Sequence, residues 1–76
     1  MEVERSDSII VRNLAMDCNW HTLKDRFSHA GDIKYAEMKE RGVGIIRFGS
    51  ERDAERAVSM MNQQRIDGRS INVSLY

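Results

Sequence analysis

Three arginines stand among aliphatic residues in two short stretches: Arg12 in IIVRNL (9–14), and Arg41 and Arg47 in RGVGIIRF (41–48). A guanidinium is a planar fork of donors, so it can grip a phosphate bidentately or lie flat against a base. Covalent chemistry has thinner support. Asp17, Cys18 and His21 are close in sequence, but no oxyanion site accompanies them. His21 and His29 are lone imidazoles, and a zinc site needs several Cys or His ligands that the chain lacks. No enzymatic activity, metal or cofactor is expected.

Any phosphate affinity has to be local, because 12 Lys and Arg balance 12 Asp and Glu and the net charge is zero. No basic field draws in polyanions. Seventy-six residues with 41% hydrophobic composition make one small domain, able to bury only about 60% of its unfolded surface. A single cysteine, Cys18, forms no internal disulfide, which suits a reducing compartment, nucleus or cytoplasm. No apolar run of about 18 residues is present, so no membrane association is expected, and MEVERSD lacks the apolar core of a secretory signal.

The elements that must carry the arginines follow from periodicity. Residues 1–7 are polar and read as a flexible tail, with one domain over 8–76. Ile9, Ile10, Val11 and Leu14 predict a central strand. Trp20, Leu23, Phe27 and Ala30 recur at helical spacing, with Asn19 or Asp17 as N-cap and Gly31 as terminator. DIKYAEMK and VGIIRF predict two strands joined by a tight turn. Ser50 followed by Asp53 predicts the start of a second helix whose inner face is Ala54, Ala57, Val58 and Met61. A turn at Asp67 and Gly68 leads to a last strand through Ile71, Val73 and Leu75. The order βαββαβ predicts an α+β ferredoxin-like sandwich. Its four-stranded antiparallel sheet has strand order 4-1-3-2, with both helices on one face.

The other face stays open. If Ile9, Val11, Gly44, Ile46, Phe48, Val73 and Leu75 point to the helices, then Ile10, Arg12, Val43, Ile45, Arg47, Asn72, Ser74 and Tyr76 point away. Glu37 and Tyr35 join them from the second strand, where a bulge can shift the register. Ile10, Val43 and Ile45 would then form an exposed apolar patch flanked by arginines, which suggests a contact surface.

These two stretches resemble the hexapeptide and octapeptide motifs of the RNA recognition motif (RRM) family, on Asn13, Leu14, Arg41, Gly42, Gly44 and Phe48. The resemblance covers essentially the whole chain, including GRSINV before the last strand. NWHTLKDRF, YAEMK and MMN are similar to the third RRM in the heterogeneous nuclear ribonucleoprotein M and myelin expression factor family. The resemblance implies a single-stranded RNA-binding module of a nuclear hnRNP-type protein in mRNA processing or splicing, also present in cytoplasm, with neighbouring RRMs in the full-length chain. It places Ile10, Arg12, Asn13, Arg41, Val43, Ile45 and Arg47 in the RNA contact. Asn72 and Ser74 would read base edges, and Tyr76 would stack.

The departures from the family pattern bear on strength. Ile10, Val43 and Ile45 stand where family members usually carry stacking aromatics. A ring is worth roughly 1–3 kcal/mol per stacked base. The connection between the second and third strands is also short, which leaves fewer phosphate contacts. Weak, atypical binding by the isolated domain is therefore expected. The alternative is a protein-binding RRM using the aliphatic sheet face, or Trp20 as an anchor.

Several features have plainer readings beside these. Arg12 and Arg47 can simply pair with Glu37, Trp20 can cover the core edge beside Leu23 and Phe27, and Tyr76 can be a chain end. The charges from Glu51 to Arg56 read as the wet face of a helix.

Overall fold

The computed structural model describes residues 6–76. Its elements are β1 (Ser8–Arg12), α1 (Trp20–Phe27), β2 (Ile33–Glu40), β3 (Val43–Phe48), α2 (Glu51–Met61), β4 (Arg65–Ile66), β5 (Arg69–Ser70) and β6 (Asn72–Leu75). The main sheet is antiparallel in the order β2-β3-β1-β6. This is the predicted topology, with β6 as its fourth strand.

Alternation in the strands and helical spacing in α1 and α2 meet in one core. Ile9, Val11, Ile46, Phe48 and Val73 come from the sheet; Leu23, Phe27, Ala54 and Ala57 come from the helices. Gly44 lets α1 approach β3, since a Cβ there would run into Leu23 Cδ2. Leu75, expected in this core, is exposed instead. It lies at the end of β6, an edge strand with β1 on one side only.

The helix ends follow their capping chemistry. Asn19, not Asp17, caps α1, its Oδ1 accepting from the Thr22 N–H at 3.0 Å. Ser50 Oγ accepts from the Asp53 N–H at 3.2 Å and starts α2. Such caps are worth about 1 kcal/mol each. α1 stops at Phe27, ahead of the predicted terminator Gly31, and a turn with Ala30 N–H on Phe27 O at 3.0 Å follows.

The turn at Asp67 and Gly68 closes a small hairpin, pairing Arg65 with Ser70 and Ile66 with Arg69. Both turn residues have positive φ, 54° and 80°, as a type I′ hairpin requires. Strands of two residues have no period to detect, so the sequence pattern showed only the turn.

Of the tail expected over residues 1–7, residues 1–5 lie outside the described residues. Asp7 lies against β3, its carbonyl accepting from the Phe48 N–H at 2.8 Å.

Candidate nucleic-acid interface

Strand register sets the open face out in three rows. Glu40 pairs with Val43 and Arg12 with Asn72, giving the first row. The middle row runs Glu37, Ile45, Ile10 and Ser74 across all four strands. In the third, Tyr35 pairs with Arg47 and Arg47 with Ser8, whose carbonyl accepts the Tyr76 N–H at 3.0 Å. Ile10, Arg12, Val43, Ile45, Arg47, Asn72, Ser74 and Tyr76 are thus brought to one surface. Arg41 stands at the two-residue turn after β2, beside the first row.

The exposed aliphatic patch is corrected by the structure. Ile10 is 5% exposed and Ile45 is 8% exposed, and Val43 is half-buried. Lys39 falls in the irregularity between Met38 and Glu40, where a bulge re-aims a side chain. Lys39 Nζ donates to Tyr76 Oη at 3.2 Å and lies 5.3 Å from the ring centroid. β2 and β6 are opposite edges of the sheet, about 14 Å apart at three strand spacings. Side chains that meet from those edges have to span the two strands between them, β3 and β1.

Charge pairing also differs from expectation. Arg47 Nε donates to Asp7 Oδ2 at 3.2 Å, not to Glu37. Glu37 Oε2 accepts from the Tyr35 hydroxyl at 2.9 Å. That hydrogen bond, aided by the carboxylate's charge, raises the Tyr35 pKa above the usual phenol value. No ion pair of Arg12 or Arg41 occurs among the described residues, and both side chains are exposed. The first row therefore holds the unmatched positive charge, partly offset by Glu40.

Two further predicted contact residues, besides Arg47 and Tyr76, have internal partners. Asn13, at φ 65°, donates from Nδ2 to Ser70 O at 2.8 Å. Its Oδ1 and backbone carbonyl accept from Arg69 at 2.9 and 3.2 Å. Asn13 thereby ties the exit of β1 to the β4–β5 hairpin. Asn72 Oδ1 accepts from Gln63 Nε2 at 3.1 Å. Ser74 is exposed beside Ile10.

Trp20 is remote from this surface, at the first position of α1. It is 46% exposed and stacks on His21, with centroids 3.8 Å apart and planes at 24°. Leu23 and Phe27, on the same helix, are buried, whereas about half of Trp20 stays exposed. Cys18 is half-buried against the core. Burial, followed by the negative charges of Asp67 and Asp17, raises its pKa, with Arg26 opposing. This is not an activated thiol. A groove of ≈ 620 Å³ on the helical side, lined by Asp25, Arg26, His29 and Arg65 among others, carries both signs of charge and lies apart from the sheet.

Sequence reasoning missed Lys39 and Asp7. Lys39 sits at a bulge whose place no alternation marks, and Asp7 acts on Arg47 from 40 residues away.

Comparison with known proteins returns one consistent likeness. The family model described as "RNA recognition motif" matches residues 9–72. Human myelin expression factor 2 is 41% identical, over 93% of this chain and 13% of that protein. Human heterogeneous nuclear ribonucleoprotein M is 42% identical, over 88% of this chain and 10% of that protein. The chain thus spans about an eighth or less of the length of these relatives. Among solved structures, the RRM3 domain of Gbp2 superposes with a TM-score of 0.89 at 25% identity, covering 97% of this chain and 79% of that one.

Proposed function

Because the chain belongs to the RNA recognition motif family, we propose that it is a single-stranded RNA-binding module whose isolated sheet binds weakly. It is a binding module rather than an enzyme. The observation that carries this reading is the first row: Arg12 and Arg41 are exposed without ion-pair partners among the described residues, beside Val43 and Asn72. Weakness follows from Ile10, Val43 and Ile45 replacing stacking rings. The two-residue β2–β3 turn adds few phosphate contacts.

The binding unit is residues 8–76, with residues 1–7 as a tail from which Asp7 holds Arg47. Ile10, Arg12, Asn13, Arg41, Val43, Ile45, Arg47, Asn72, Ser74 and Tyr76 form the RNA surface, with Asn13 acting through the hairpin it fixes. In a longer hnRNP-type chain, neighbouring RRMs would add affinity through effective concentration. A nuclear setting, in mRNA processing, is part of this reading, supported by the likeness to heterogeneous nuclear ribonucleoprotein M. A protein partner is the second reading, supported by the exposed Trp20 on the far side of the domain.

Arg12→Ala tests the phosphate role. Fluorescence anisotropy with a pool of short single-stranded RNAs should show about two- to fivefold weaker binding, the worth of a surface ion pair of roughly 0.5–1 kcal/mol. The salt slope should fall by about 0.7 for the lost contact. Arg47→Ala should do less, because Asp7 already holds that guanidinium. Equal effects from the two variants, or an unchanged slope in Arg12→Ala, would remove the first row from the phosphate path.

A further inference from the structure

The middle row presents an unusual combination: two isoleucines that point away from the helices and are nevertheless buried. Neither belongs to the core cluster between sheet and helices. The two edges of the sheet on either side of their strands are joined by a bridge, Lys39 Nζ on Tyr76 Oη at 3.2 Å. Tyr76 is 56% exposed and its backbone N–H is held by Ser8, so its ring can swing without breaking the sheet. We propose that this bridge is a closed cover over an aliphatic seat at Ile10 and Ile45, and that single-stranded RNA must lift it to reach the seat. The identity of the ligand rests on the RNA-binding reading above; the cover itself does not.

The cover is weak enough to open. A cation over an exposed ring changes an equilibrium by about two- to fivefold. Apparent affinity is lowered by the fraction of molecules that are closed. Opening has a second effect, since it releases a phenol ring at the margin of a sheet whose middle row, Glu37, Ile45, Ile10 and Ser74, holds no aromatic. Base binding and uncovering are therefore coupled through one residue: the ring that closes the seat is the ring that can stack. Lys39 acts here as a competitor for that ring, the opposite of the phosphate contact that a lysine on an RNA-binding sheet would ordinarily make.

Lys39→Ala separates the two roles by the sign of its effect. In the free domain, isoleucine methyl relaxation by a soluble paramagnetic agent should rise at Ile10 and Ile45 in Lys39→Ala and in Tyr76→Ala, while Ile9 and Ile46 stay protected as a check on folding. With the RNA pool, Lys39→Ala should bind about two- to threefold tighter than wild type, whereas Tyr76→Ala should not tighten, having lost the ring. Unchanged methyl exposure in both variants would overturn the cover. Weaker RNA binding by Lys39→Ala would overturn the competition and make Lys39 a phosphate contact. If the wild-type domain binds no RNA, the RNA reading fails, while the methyl data still decide whether the seat is covered.

Discussion

Val43→Phe combined with Ile45→Phe is expected to tighten single-stranded RNA binding by about thirtyfold or more. Each stacking ring is worth roughly 1–3 kcal/mol per base, and 1.4 kcal/mol is a factor of ten, so even two rings at the low end reach this range. Neither substitution enters the core between sheet and helices: Val43 pairs with Glu40, and Ile45 pairs with Glu37 and Ile10. On the proposed cover, a phenylalanine at 45 would also displace the Lys39–Tyr76 bridge. Titration of the double variant by anisotropy, beside a melting curve to show that it folds, measures the effect. A change below about threefold would mean that stacking is not what this sheet lacks.

Phe27→Ala is expected to have the largest effect on stability, a loss of about 3–5 kcal/mol for a truncated buried aromatic. Phe27 is fully buried where α1 packs on the sheet, in one cluster with Ile46 and Phe48. At roughly 0.05–0.15 kcal/mol per residue, a domain of this size holds only about 4–11 kcal/mol in total. Urea denaturation should therefore show a midpoint displaced far toward zero, or a chain largely unfolded in buffer. A loss under about 1 kcal/mol would mean that α1 does not hold the sheet in solution.

Most of the scaffold was legible because its signals are local. Ser50 and Asp53 marked the start of α2, Asn19 was one of two candidates for α1, and alternation in β1 and β3, and in β6 as far as Val73, separated the two faces of the sheet, failing at Leu75. The arrangement of Arg12, Val43, Asn72 and their neighbours on one surface followed directly. What escaped depends on long-range meetings. Asp7 takes Arg47 in place of Glu37, a pairing between residues far apart in the chain. Lys39 lies in the irregularity between Met38 and Glu40, and only the order of the strands brings it to Tyr76. The patch expected to be exposed is buried at Ile10 and Ile45. Alternation tells which residues face away from the core, but not which distant residues meet there.

The central claim is that RNA binds across the three rows of the open sheet. Its most direct test is a solution NMR titration of the labelled domain with short single-stranded RNAs, at low and at physiological salt. The account predicts shifts at Arg12, Val43, Ile45, Arg47 and Tyr76, with fast exchange and a shallow salt dependence, and none at Trp20. No shifts at millimolar RNA, or shifts confined to the helical side, would contradict it and direct the search to a protein partner at Trp20.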